Sequence, residues 1–166
     1  MFAEQEIKTP EKRIAVDLFN EAYDAQMGKD YDLAIDLYKK SIDACPTAEA
    51  YTFLAWAYSF KGEYDRAIAE CIAAISIDET FGNPYNDIGS YLIAQGNYYD
   101  SVRWFRLAIE APRYASREFP YFNLARVFEN RGKLLESADL YARSLDEQPN
   151  YKAAYVGLRR VQGILN

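Results

Sequence analysis

Gly62-Glu63-Tyr64-Asp65-Arg66-Ala67 returns along the chain as Gly96-Asn97-Tyr98-Tyr99-Asp100-Ser101 and as Gly132-Lys133-Leu134-Leu135-Glu136-Ser137, with a degenerate first copy at Gly28-Lys29-Asp30-Tyr31-Asp32-Leu33-Ala34. A period of about 34 residues marks helical hairpins. One hairpin is too small to bury its own apolar face, so neighbours must stack to share a core, and chains built this way mostly present surfaces for binding. Gly62, Gly96 and Gly132 suit the reversal after their first helices, where positive φ costs glycine little. Pro46 and Pro149 stop a second helix; Pro84 and Pro120 fall in the first turn of a first helix, where a missing N–H does no harm.

Working outward from the glycines, the second copy supplies Tyr51, Leu54, Ala55, Tyr58, Ala67, Cys71 and Ala74 at regular offsets. The third supplies Tyr85, Ile88, Gly89, Leu92, Ser101, Phe105 and Ala108, and the fourth Tyr121, Leu124, Ala125, Phe128, Ser137, Tyr141 and Ser144. This pattern resembles the tetratricopeptide repeat family, whose unit prefers an aromatic at position 4, Leu at 7, a small residue at 8, Tyr at 11, Ala at 20 and 27, an aromatic at 24 and Pro at 32. Cys71 and Glu79 depart from it, at positions 24 and 32, and the first helix of the first copy is weak. The resemblance implies an all-α, right-handed superhelical α-solenoid of about four helix-turn-helix repeats plus a C-terminal capping helix. It divides the chain into an N-terminal arm, 1–10, and a single domain, 11–166. The repeats run about 15–47, 48–81, 82–117 and 118–151, with the cap at 152–166.

Helices are expected near 11–27, 31–45, 48–61, 64–78, 83–95, 98–110, 118–131, 134–147 and 151–164. Small residues facing each other, such as Ala55 with Ala67 and Gly89 with Ser101, let the two helices of a hairpin approach closely, while large residues interlock with the next hairpin. The segment 111–118 carries two residues more than the period allows, which predicts a longer loop.

Composition narrows the function classes. Half of the 166 residues are hydrophobic and 16% aromatic, enough for a continuous core. With 19 basic against 25 acidic residues and no Lys/Arg run, nucleic acid is not an expected partner. No apolar run reaches the roughly 20 residues of a membrane helix, and the opening residues lack a basic and then an apolar region, so a soluble, cytoplasmic chain without membrane insertion is expected. Cys45 and Cys71 read as reduced packing residues.

The chain has no histidine, which removes the commonest general base and the His-based nucleophile pairs and zinc sites. No Gly-rich phosphate loop or calcium loop is present, and carboxylate pairs such as Asp30/Asp32 and Asp78/Glu79 sit at hairpin ends in solvent. No enzymatic activity, cofactor or metal is expected.

Binding should occur on the face of each first helix that turns about 140 degrees away from the packing stripe. There the first two repeats place Phe19, Tyr23, Thr52, Trp56 and Phe60, with Met27 beside them. The third places Asn86 and Ser90, joined by Asn83 and Ile93, and the fourth Phe122 and Arg126, with Phe119 and Glu129. Such a groove, with aromatic walls and amides from Asn20, Asn86 and Asn123, fits an extended peptide or an amphipathic helix of a partner protein. The expected role is an adaptor, scaffold or chaperone-like module. A second possibility is a self-associating structural unit, a homodimer through exposed aromatics, and a third is that the arm carrying Phe2 and Ile7 fills the groove. Members of the family that hold acidic C-terminal tails use lysines, an arginine and asparagines at set positions. Here those positions hold Phe19, Tyr23, Phe53, Asn83 and Asp87, or Thr52, Trp56, Asp87, Phe119 and Asn123, so no cation is available and that clamp is not expected.

Overall fold

The computed structural model describes residues 9–166. Among them the repeat register becomes nine helices: α1 Pro10–Met27, α2 Tyr31–Ala44, α3 Ala48–Phe60, α4 Tyr64–Ile77, α5 Asn83–Ala94, α6 Tyr98–Glu110, α7 Glu118–Asn130, α8 Leu134–Glu147 and α9 Lys152–Leu165. Every end lies within one residue of its expected place. Side-chain oxygens start three of them: Thr9, Asp30 and Thr47 accept from Lys12 N, Leu33 N and Ala50 N at 3.3, 3.1 and 3.1 Å, satisfying donors that the first turn leaves open.

Gly62, Gly96 and Gly132 take φ of 77, 82 and 69° in three of the turns. In the first turn that conformation falls on Lys29, φ 65°, and not on Gly28, φ −73°. Lys29 stands two residues before Tyr31 as Gly62 does before Tyr64, so the glycine of the first copy is one place early. Lys29→Gly is expected to raise stability by about 0.5–1 kcal/mol, the strain of a left-handed lysine less the extra freedom of unfolded glycine. An unchanged urea midpoint would show that the turn holds lysine there without strain.

The chain forms two compact units, one ending at Glu79 and one beginning at Thr80. In the first, α1 pairs with α2 and α3 with α4, and α3 packs on α1 and α2. Ala22, Ala34 and Tyr38 are fully buried in it, as are Ala55, Ala67 and Ala74, and the Ser41 hydroxyl donates to the Ala15 carbonyl at 2.7 Å.

In the second, α5 pairs with α6 and α7 with α8, and α9 lies on α8 and α7. Ser144 repeats the bond of Ser41, donating to Glu118 O at 2.8 Å, and Ser137 donates to Ala125 O at 2.9 Å. Phe105, Leu124 and Val127 fill the space between the two hairpins, and Tyr141 sits with Ala125, Ala154 and Val161. A Cβ on Gly89 would stand 2.6 Å from the Phe105 ring, which explains the absence of a side chain there.

The two extra residues do make a longer connection from α6 to α7, and it is docked. Gly82 N donates to Arg113 O at 3.1 Å and Arg113 N to Thr80 O at 2.9 Å. Tyr114 is buried against Gly82 beside Ala108 and Ala111, and Arg117 donates to the carbonyls of Ile109 and Ala111 at 3.0 and 2.9 Å.

Candidate functional site

In the first unit, α1 and α3 present one aromatic face. Tyr23, Met27 and Phe60 are 41, 54 and 57% exposed, and Trp56 is half-buried beside them. Phe53 joins these side chains. Its ring centroid lies 4.6 Å from Trp56, 5.9 Å from Tyr23 and 5.0 Å from Phe19, while Phe60 stacks on Tyr31 at 5.1 Å. Edge and stacked contacts of this kind hold the rings in fixed orientations. Phe53, which in the sequence falls only at a clamp position and not among the expected groove residues, thus belongs to this face.

Two expected anchors lie beneath the surface. Phe19 is 8% exposed, its ring packed on Tyr38 and Phe53, and Thr52 is 1% exposed, its hydroxyl donating to Ala48 O at 2.7 Å. The expectation that Phe19 and Thr52 line an open groove is therefore corrected. Phe19 sits at the seam between α1 and α3, a contact that a one-sided helical wheel leaves out.

Below the aromatic face lie polar atoms with no partner among the described residues. The Gln26 amide is 2% exposed with neither its nitrogen nor its oxygen bonded, and the buried Tyr38 hydroxyl is likewise unpaired. Burial first and the neighbouring Tyr23 second push the Tyr38 hydroxyl above the ordinary tyrosine range.

The second unit carries the remaining predicted residues. Asn86 is buried, and its Oδ1 accepts from Asn123 Nδ2 at 3.2 Å; Ser90 Oγ donates to Asn86 O at 3.0 Å. Two of the three asparagines expected to meet a ligand, Asn86 and Asn123, thus bond to each other. Phe122 is half-buried, 5.2 Å from Tyr151 and 5.8 Å from Tyr141, and Phe119 meets Tyr151 at 5.6 Å. Arg126 is exposed, with its guanidinium 5.7 Å from the Phe122 ring. Ile93 turns into the packing against Phe105, away from the surface where it was expected.

Glu129 is held more firmly than its place on that face suggested. Arg160 donates to both carboxylate oxygens, Nε to Oε1 at 2.7 Å and Nη2 to Oε2 at 2.8 Å, and the Tyr141 hydroxyl donates to Oε2 at 2.7 Å. The Arg160 bonds first, against some desolvation, and then the tyrosine bond hold the Glu129 carboxyl below the ordinary range. Asn20 stays exposed on α1, and the arm with Phe2 and Ile7 lies outside the described residues.

No helix among the described residues is long and apolar enough to cross a membrane, and none of them forms a group of three or more His, Cys, Asp or Glu able to hold a metal ion.

The family profile described as Tetratricopeptide repeat matches residues 48–81. The small glutamine-rich tetratricopeptide repeat-containing protein 2 of Saccharomyces cerevisiae is 30% identical over 149 residues, which are 86% of this chain and 42% of the yeast protein; the chain thus spans less than half of that relative. Among solved structures, that of pilF of Pseudomonas aeruginosa superposes with a TM-score of 0.84 at 18% identity, covering 92% of this chain and 69% of that one. YrrB, described as a TPR protein with an unusual peptide-binding site, superposes with a TM-score of 0.68 at 18% identity, covering 90% of this chain and 77% of that one. These likenesses fix the fold as all-α and of the repeat-solenoid kind.

Proposed function

We propose, from the premise that the chain is a tetratricopeptide repeat protein and hence a protein–protein interaction module, that it works as an adaptor whose α1–α3 face captures an apolar peptide or one side of an amphipathic helix from a partner protein. The observation that carries this reading is the exposure of Tyr23, Met27 and Phe60 around the ring pair Phe53 and Trp56. A soluble protein seldom leaves so many large apolar side chains together unless something covers them, and Trp and Tyr are the side chains that contribute most at such contacts. The peptide-binding site reported for YrrB is a precedent on the same fold. In the second unit Phe122, Ser90 and Arg126 are the corresponding proposal, with Arg126 as the orienting cation and the buried Asn86 supporting them from beneath. Cys45 and Cys71 are not joined in a disulfide, which suits a reducing compartment, and we place the chain in the cytoplasm.

Trp56→Ala is expected to weaken capture of the partner by about 2 kcal/mol, roughly 30-fold, with the circular dichroism spectrum unchanged. Partners are retrieved from the native extract with the natural chain and with a Tyr23→Ala/Trp56→Ala variant; those lost with the variant are titrated against Trp56→Ala. Equal retrieval by both chains would refute the reading. So would light scattering that shows a dimer at micromolar concentration which Tyr23→Ala/Trp56→Ala dissociates, because the face would then be covered by a second copy.

A further inference from the structure

In the second unit, α6, the end of α7 and the turn into α8 line a cleft of about 630 Å3. Four cations line it: Arg103 and Arg106 from α6, and Arg131 and Lys133 from the turn. Its apolar lining is Val102, Leu107 and Phe128, and Asp100 is the one carboxylate in it. The sequence offers no basic run, yet the fold brings together pairs of cations some 25 residues apart.

Aromatic rings set the direction of three of these cations without neutralising them. The Arg103 guanidinium lies 4.5 Å from the Trp104 ring and that of Arg131 5.3 Å from Tyr99, with the Lys133 ammonium 5.7 Å from Phe128. Arg131 Nη2 also donates to Tyr98 O at 3.3 Å. Lys133 meets Glu136 only at 3.9 Å, and none of Arg103, Arg106 and Arg131 forms an ion pair among the described residues. Asp100 accepts from Asn97 at 2.8 Å.

The charge is distributed unevenly along the chain. Residues 9–79 carry seven Lys or Arg against fourteen Asp or Glu, and residues 80–166 carry eleven against nine. Cations gathered in a cleft of an acidic chain, with room beside them and three of the four in no ion pair among the described residues, favour an anionic occupant.

We infer that this cleft seats a short acidic segment of a partner protein, whose Asp or Glu side chains pair with Arg103, Arg106 and Arg131 while an apolar side chain rests on Leu107 and Phe128. Guanidinium groups bind carboxylates through paired, charge-assisted hydrogen bonds. The positive zone is bounded: the adjoining hollow, which shares Arg106 and Phe128, contains Glu110, Glu136 and Asp139. A nucleic acid backbone needs a longer track of cations than that. The site is separate from the α1–α3 face, so the two can be tested independently.

The test uses the whole chain and a fluorescein-labelled peptide of Asp-Glu pairs flanking a central Leu-Phe, followed by anisotropy. Binding is expected to weaken as salt rises and to fall at least tenfold with Arg103→Glu/Arg106→Glu, and by a smaller factor with Arg103→Gln/Arg106→Gln. Both arginines are exposed, so the fold is retained, which circular dichroism checks. Equal binding of the Asn-Gln version of the peptide, tighter binding of an oligothymidylate, or indifference to the charge reversal would each overturn the inference. A dimer that Arg103→Glu/Arg106→Glu dissociates in the absence of peptide would also overturn it, by naming a second copy as the occupant.

Discussion

Tyr141→Ala lowers stability by about 4 kcal/mol, with urea unfolding followed by circular dichroism as the measurement. The Tyr141 ring is fully buried among Ala125, Ala154 and Val161, and it rests directly on the backbone of α9, since a Cβ on Gly157 would stand 2.5 Å from it. Cutting the side chain to a methyl group removes a large apolar surface from the core and leaves a cavity that two helices and Phe122 cannot close. It also takes one of three donors from Glu129. Tyr141→Phe separates the two parts, keeping the ring and losing the hydrogen bond, and should cost about 1–2 kcal/mol.

The pH dependence checks the assignment. Because the folded Glu129 carboxyl is held below its unfolded value, the unfolded chain binds this proton more readily. The contribution of the pair is complete above the unfolded value of about 4.3 and is lost as pH falls through the lower folded one. The gap between Tyr141→Phe and the natural chain should therefore be full at pH 7 and narrow toward pH 3. An alanine variant within about 1 kcal/mol of the natural chain would mean that the α7–α8–α9 contact contributes little.

Helix ends were legible because the same few residues mark them: a glycine or its neighbour with positive φ, an aromatic or, after Gly132, a leucine two places on, a proline at one end or the other. These are local demands on the backbone, and they recur with the period. What the period cannot carry is contact between segments that break it. The two extra residues before α7 announced a loop, but not that Arg113 would exchange backbone hydrogen bonds with the Thr80–Gly82 segment or that Tyr114 would close on Gly82. Lys29 shows the same limit on a smaller scale. Gly28 lies next to the turn position, and the register of Tyr31 puts lysine there instead.

The candidate site was legible in outline only. Tyr23, Trp56 and Phe60 follow from helical spacing, whereas Phe19, Thr52 and Asn86 share position 5 and are all buried. A first helix in such a stack faces two neighbours at once, its own partner and the next first helix, so its apolar stripe is broader than one packing partner requires. Phe53 lies inside that broad stripe, which is why it connects the buried rings to the exposed ones. The basic cleft was hidden for a different reason: charges on α6 and on the α7–α8 turn are far apart in sequence, and a search for charge runs does not bring them together.

Gln26→Leu combined with Tyr38→Phe raises stability by about 2–4 kcal/mol, an expected gain that comes from comparing the two ends of the array. In repeat register Gln26, Tyr38 and Trp56 stand where Glu129, Tyr141 and Arg160 stand in the second unit. There the carboxylate, hydroxyl and guanidinium satisfy one another. Here an indole replaces the guanidinium and an amide the carboxylate, and neither the Gln26 amide nor the Tyr38 hydroxyl finds a partner among the described residues. A buried polar group left in that state costs about 1–3 kcal/mol, while an apolar group of similar shape does not. Tyr→Phe should thus have opposite signs at two positions of the same repeat register, favourable at Tyr38 and unfavourable at Tyr141. The measurement is again the urea midpoint, with each single variant beside the double. A double variant less stable than the natural chain would show that both polar groups are satisfied in solution, and the comparison between the two ends would fail.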